Sequence, residues 1–155
     1  MSLLIDAAKT GDVTGVTEAL RAGADKNAVD PGYHNYTALH WSAENGHRNV
    51  VIKLLHAKVD FNKRDKRGRS ALHQVCLEGF ESITSLLIGR GILIDASGKE
   101  SHTPLILACK EGQGDIVKLL LDAGADKDCE DKTGCTCFHY HTFIIFTGKF
   151  VTLLT

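Results

Sequence analysis

Three groups of apolar residues recur along the chain with one internal spacing. Val50, Leu54 and Leu55, then Ile83, Leu87 and Ile88, then Ile116, Leu120 and Leu121 are each separated by gaps of four and one. That interval returns side chains to one face of a helix. A second motif precedes each group: Thr37-Ala38-Leu39-His40, Ser70-Ala71-Leu72-His73 and Thr103-Pro104-Leu105-Ile106, with a fourth copy at Thr136-Cys137-Phe138-His139. The first residues stand at 37, 70, 103 and 136, so every interval is 33. A fixed period of this length marks stacked supersecondary units, each too small to bury its own apolar face without a neighbour. Six residues into each unit stand Ala43, Cys76 and Cys109, and nine residues in stand Gly46, Gly79 and Gly112. A small residue lets helices approach closely, and a glycine ends a helix in the left-handed conformation. Each unit therefore predicts two short antiparallel helices. A loop then returns the chain, with Val59-Asp60-Phe61-Asn62, Ile92-Leu93-Ile94-Asp95 and Ala125-Asp126-Lys127-Asp128 in matching places.

The two ends depart from this ruler in different ways. Ala8, Gly11, Leu20, Ala22, Asp25 and Asn27 match Ala43, Gly46, Leu55, Ala57, Asp60 and Asn62 at a shift of 35. Two residues are thus added in the connection Asp30 to Tyr36, where Pro31-Gly32 predicts a turn. At the other end Thr136, Phe138 and His139 keep register, and Leu153 and Leu154 fall where Leu120 and Leu121 require. Thr142 replaces the small residue, Ile145 replaces the glycine, and Gly148 comes three residues late. The run from Phe143 to Leu154 is rich in aromatic and β-branched residues, poor material for the polar outer face of a terminal unit. Three readings stand for it: a distorted capping helix pair, a frayed or reordered tail, and an array truncated at this point.

With T-A-L-H, S-A-L-H and T-P-L-I at 33-residue intervals, followed by G-H, L-L and G-A-D, the chain resembles an ankyrin-repeat protein over about residues 4 to 142. The resemblance implies an all-α solenoid of about four full repeats, at 3–34, 35–67, 68–100 and 101–133, with a degenerate fifth at 134–155. All would form one domain, 1–155, of paired antiparallel helices with β-hairpin fingers. The threonine would cap the inner helix and bond to the histidine, a role that falls to Thr37 with His40 and Ser70 with His73. Ile106 cannot make that bond, and Thr136 and His139 carry the right letters in a decaying register. The family binds proteins through the concave face of fingers and inner helices. The function implied is a non-catalytic interaction module, an adaptor or scaffold; the alternative is a regulatory portion of a larger kinase, channel or transcription regulator.

Charge and cysteine usage narrow the partner classes. The 18 basic and 19 acidic side chains nearly cancel, so no whole-molecule field draws the chain to nucleic acid or to a membrane surface. Phe143-Ile144-Ile145-Phe146 is far shorter than the roughly 20 apolar residues that span a bilayer. The start Met1-Ser2-Leu3-Leu4-Ile5-Asp6 lacks a signal-peptide pattern, and five cysteines form an odd set. A monomer in a reducing compartment is expected, cytoplasmic and also nuclear, with no cofactor.

Within that frame, His40, His73 and His139 are register-fixed and read as structural rather than reactive. Cys76 and Cys109 fill the small packing slot of Ala43 and read as inert. Cys135-x-Cys137-x-His139-x-His141 offers zinc-type ligands, but its alternate spacing differs from familiar zinc sites, so metal binding is the lesser reading. Lys63-Arg64-Asp65-Lys66-Arg67-Gly68-Arg69 places five positive charges on a finger, which reads either as plain solvation or as contact with an acidic protein surface; nuclear import is a third use. Tyr33, His34, Tyr36 and Trp41 gather around the first finger, and Trp41 is either a binding anchor or a half-buried core residue. With Lys66, Arg67, Arg69, Lys99 and His102 on fingers, and Glu44, Asn45, Gln74, Leu77, Glu78, Lys110 and Glu111 on inner helices, they outline a candidate partner-binding strip. Leu54 with Asp60-Phe61-Asn62 also resembles the pattern that an asparaginyl hydroxylase recognises in such repeats.

Overall fold

The structure is a computed structural model that describes residues 2–140. Expectations for Phe143 to Leu154, and the placement of His141, lie outside the described residues. Internal contacts divide the chain into two compact units, Met1–Gln74 and Val75–Thr155.

The first unit runs α1 (Leu3–Thr10), α2 (Val13–Arg21), β1 (Val29–Asp30), β2 (Tyr36–Thr37), α3 (Ala38–Glu44) and α4 (Arg48–His56). Helix α5 (Ala71–Glu78) spans the boundary. The second unit continues with α6 (Glu81–Gly89), α7 (Pro104–Glu111) and α8 (Gly114–Asp122), and residues 137–140 are again helical. The described helices thus fall into four pairs, as the period predicts. In the first unit α1 packs on α2 and α3, α3 on α4, and α2 on α4; in the second α7 and α6 pack on α8.

The apolar stripes supply the cores. Val50 and Leu54 are fully buried in the first unit, and Ile83, Leu87, Ile116 and Leu120 in the second. Of the third stripe members Leu55 is buried, while Ile88 and Leu121, rotated by about 100° toward the flank of the helix, are half-buried.

Caps hold the helix ends. Thr37 is the N-cap of α3 and its hydroxyl accepts the His40 N–H at 3.3 Å, while the Thr37 N–H donates to His40 Nδ1 at 3.2 Å. Ser70 repeats the link with His73 at 3.0 Å, as does Thr136 with His139 at 3.0 Å. At α7 the cap survives without the histidine, with Thr103 accepting from the Ile106 N–H at 3.3 Å and Pro104 in the first turn. Gly11 and Gly79, both in the left-handed region, also make room for a side chain from the following helix pair. A Cβ on Gly11 would stand 2.7 Å from His47 Nδ1, and one on Gly79 2.7 Å from the Gln113 amide oxygen. The His47 Nε2–H donates to the Lys9 carbonyl at 3.0 Å.

The fingers differ from the expected series of β-hairpins. Among the described residues the ladder is confined to the first, where β1 and β2 are antiparallel with Val29 opposite Thr37 and Asp30 opposite Tyr36. Its two added residues allow a turn with His34 and Asn35 at φ 49° and 58°, the left-handed pair that matches strand twist. The later fingers are shorter and close on an aspartate or glycine turn instead: the Asp65 N–H donates to the Arg69 carbonyl at 2.9 Å, and Gly98 with His102 and Asp131 with Cys135 repeat the bond at 3.0 Å.

Candidate functional site

In the first unit the fingers meet an aromatic cluster. Tyr33 lies 4.5 Å from Trp41 and 5.0 Å from Tyr36 between ring centroids, and Tyr36 stacks on His40 at 5.2 Å. Tyr33 is 40% exposed, Trp41 is half-buried, and Tyr36 is only 3% exposed. Tyr36 is therefore a core residue, a correction to its place in the predicted strip: on the strand its ring faces inward onto His40. Gln74 is corrected likewise, being 2% exposed. Glu44, Leu77, Arg69, His34 and His102 are half-exposed, while Asn45, Lys66, Arg67, Glu78, Lys99, Lys110 and Glu111 are exposed.

Lys9 completes the first cluster. Its Nζ stands 4.3 Å above the Trp41 ring and 2.8 Å from Asp30 Oδ2. That hydrogen bond holds the Asp30 carboxyl below its usual range, aided by the Gly32 N–H at 3.1 Å. The cation over the indole is a cation–π contact, favourable because the ring face is negative. The basic finger lies beside this group. The Lys66 backbone N–H donates to the His34 carbonyl at 2.8 Å, and Arg67 Nη2 donates to His34 Nε2 at 3.1 Å. Lys63 spends its ammonium on the Asn27 carbonyl at 2.9 Å. Asp65, 6% exposed, accepts the Arg67 and Arg69 N–H groups on Oδ1 at 2.8 Å each, which ties that oxygen to the loop. Lys66 and Arg67 remain as exposed cations.

The second unit repeats the arrangement with other partners. Lys110 Nζ lies 5.1 Å above the Tyr140 ring and donates to His102 Nε2 at 3.2 Å. The Tyr140 hydroxyl donates to Asp131 Oδ2 at 2.5 Å, while Asp131 Oδ1 accepts from Thr133 Oγ1 at 2.6 Å and from the Thr133 and Cys135 N–H groups at 2.8 and 3.1 Å. Burial works against the Asp131 charge, yet these donors hold its carboxyl far below the usual range; the same bond, with burial, pushes the Tyr140 phenol up to about 12.

Lys9, Asp30 and Asp131 were absent from the predicted strip, although the register points to them. The shift of 35 maps Glu44 onto Lys9, and Glu44, Leu77 and Lys110 share one position. The carboxylate and the residue at the matching inner-helix position also vary together: Asp30 with Trp41, Asp65 with Gln74, Asp131 with Tyr140, but Gly98 with Leu107. Where the acceptor is lost, the donor is replaced by an apolar side chain. Among the described residues the pair is joined by a hydrogen bond at Asp131, where Tyr140 donates to Oδ2, whereas Trp41 Nε1, Gln74 Nε2 and Asp65 Oδ2 make none.

The reactive readings fare differently. With Thr37 N–H donating to His40 Nδ1, the other nitrogen carries the proton and donates to the Arg69 carbonyl at 2.9 Å. Burial pushes the His40 pKa down, so the ring is a neutral structural group. Asn62 sits half-exposed with its N–H on the Asp60 carboxylate at 3.1 Å. Cys109 occupies the small slot as predicted but is not inert there, because it is disulfide-bonded to Cys137 across a Cα separation of 5.5 Å. The register signals this pairing too: Cys109 and Cys137 stand at the positions of Ala43 and Ala71. The zinc reading of Cys135 to His141 is corrected on the same ground, since Cys137 is spent on Cys109 and His139 Nδ1 on Thr136. Among the described residues no group of three or more His, Cys, Asp or Glu is placed to hold a metal ion, and no helix is long and apolar enough to cross a membrane.

Comparison with known proteins gives a consistent picture. A family model described as ankyrin repeats (3 copies) matches residues 3–98 and 49–131. The E3 ubiquitin-protein ligase XBAT32 of Arabidopsis thaliana is 35% identical over 80 residues, 49% of this chain and 15% of that protein. The ankyrin repeat and KH domain-containing protein mask-1 of Caenorhabditis elegans is 35% identical over 88 residues, 57% of this chain and 3% of its own length. Inversin of Danio rerio is 35% identical over 68 residues, 43% of this chain and 7% of its own. The chain thus spans only a small fraction of these relatives.

Proposed function

This chain belongs to the ankyrin-repeat family, and from that footing we propose that it captures an acidic protein surface on the finger edge of its first unit. The repeats are an all-α solenoid of non-catalytic modules that bind protein partners. The observation that carries the finer reading is the juxtaposition of exposed Tyr33 with the cations Lys66 and Arg67, on fingers already joined by the Arg67–His34 and Lys66–His34 bonds. Asp30 is neutralised by Lys9 and Asp65 is buried in its loop, so the local field is positive although the whole chain is balanced. A rigid aromatic beside fixed cations loses little conformational entropy on binding and steers acidic partners.

A second reading, that the segment serves as the interaction portion of a longer protein, is favoured by the small share of each relative that it matches. Both readings use the same edge. The combined variant Tyr33→Ala, Lys66→Ala, Arg67→Ala tests it, since all three side chains are exposed and the helices should stay intact by circular dichroism. Partner affinity is expected to fall at least tenfold and to lose most of its salt dependence. Undiminished capture with the fold preserved would overturn the assignment.

A further inference from the structure

We propose that Cys109 and Cys137 form a reversible redox site, worked by a small thiol such as glutathione, that fastens the last described finger and the Tyr140 ring to α7. The pairing grows out of the repeat register. Residues 28 apart at these two positions are Ala43 and Ala71, then Cys76 and Pro104, then Cys109 and Cys137. Ala43, Ala71 and Cys76 are all but fully buried, so small apolar groups suffice to pack this place. Two cysteines there add chemistry rather than volume.

The remaining cysteines make the couple selective. Cys76 has Pro104 at the register position where a partner thiol would stand, and burial pushes its own thiol far up. Burial and the Asp126 carboxylate raise the Cys129 thiol to about 11, which leaves little thiolate to attack a disulfide. Cys135 is free and half-exposed. The tie itself joins a finger to a helix across 28 residues of sequence. Among the described residues, finger 131–136 also carries polar bonds from the Lys132 N–H to the Glu100 carbonyl at 3.1 Å and from Tyr140 to Asp131. Cys137 lies in the same helical turn as Tyr140. The redox state therefore sets how firmly the Tyr140–Lys110–Asp131 group is presented.

Opening proceeds by two exchanges. A thiolate attacks one protein sulfur, forms a mixed disulfide and expels the other cysteine as a thiolate, which takes up a proton. A second thiolate attacks the mixed disulfide and releases the second cysteine. Two thiols are oxidised to their disulfide as the protein disulfide is reduced to two thiols. Both protein sulfurs belong to buried residues, 3% and 2% exposed, so the reagent must wait for the finger to open.

The test needs no binding partner, so its failure is distinct from failure of the acidic-surface reading. The full chain is equilibrated in glutathione buffers from fully oxidised to fully reduced, denatured, alkylated and weighed. Three free thiols, Cys76, Cys129 and Cys135, are expected at the oxidised end and all five at the reduced end. Amide exchange over residues 131–140 should quicken at least tenfold on reduction, with residues 3–56 unchanged. The variant Cys109→Ala/Cys137→Ala reproduces the Ala43 and Ala71 pair and should fold; its exchange over 131–140 should match the reduced protein with or without glutathione. Five free thiols at every poise would overturn the proposal, as would identical exchange in the two states of the unaltered protein.

Discussion

The cation, ring and carboxylate group of the first unit and that of the second occupy the same register positions and are wired differently. In the first, Lys9 pairs with Asp30 and covers Trp41; in the second, Tyr140 donates to Asp131 and Lys110 turns to His102. The fingers also differ in length. In the short fingers Asp65 and Asp131 each accept N–H groups two and four residues on, which closes the loop. The two residues added to the first finger carry the fourth N–H away, and Asp30 accepts only Gly32 by that route, at 3.1 Å. In all three fingers the loop N–H groups bond Oδ1, and the other oxygen meets Lys9 at Asp30 and the Tyr140 hydroxyl at Asp131, while Asp65 Oδ2 has no hydrogen-bond partner among the described residues. The insertion thus accompanies the loss of one loop bond to Oδ1, and it brings Tyr33 and His34 beside the basic finger.

That difference is broken most directly at the carboxylates. Asp131→Ala removes the acceptor of four hydrogen bonds from a nearly buried site, and should favour local opening of residues 131–140 by about 3 kcal/mol. Asp30→Ala removes a part-exposed pair and should cost its own finger about 1 kcal/mol or less. Hydrogen exchange on the two fingers reads both. Equal losses would mean that the different wiring does not divide the two roles.

Acid should separate the units in order. The unfolded chain protonates His40 near its ordinary 6.5, whereas the buried ring resists. Its contribution is therefore complete above 6.5 and declines as pH falls from there toward the lowered folded value. Asp131 acts later, because its contribution holds above the ordinary 3.8 and is lost only as pH drops further. Fluorescence of Trp41, the sole tryptophan, should report loosening of the first unit at higher pH than exchange over 131–140 reports the second. Simultaneous loss would contradict the order.

The smallest effect is expected at the lysines. Lys9→Met should destabilise the first unit by about 0.5–1 kcal/mol, through the lost ion pair and cation–π contact. Lys110→Met should cost less, its ammonium being exposed and 5.1 Å from the ring centroid. Denaturant titration of each variant makes the comparison.

Much of this was legible in the chain because a repeat states its packing several times. The period of 33 placed the helix pairs, and the resemblance it carries implied the caps at Thr37 and Ser70 and the loss of the histidine link at Ile106. The aspartate and donor that vary together, and the cysteines in an alanine pair's register, were written there as well, visible only on reading two repeat positions jointly. Other features were not. Tyr36 carries the letters of a binding residue, and only the strand direction, fixed by pairing with Asp30, turns it inward. The burial of Gln74 is equally a property of packing, since a glutamine at a helix position reads as surface from sequence. The ladder in the first finger depended on an insertion whose turn lies at His34-Asn35 rather than at Pro31-Gly32 alone.

The central claim is that the first unit's finger edge meets carboxylates of a protein partner. Carbodiimide joins a lysine amine directly to an aspartate or glutamate in contact with it, so coupling of the partner-bound chain followed by mass spectrometry tests that claim at bond length. The account predicts that Lys66 is the principal coupled residue, joined to an acidic stretch of the partner, and that the Tyr33→Ala, Lys66→Ala, Arg67→Ala variant forms no such product. Coupling that maps to the second unit alone, with Lys66 unmodified in a formed complex, would contradict it.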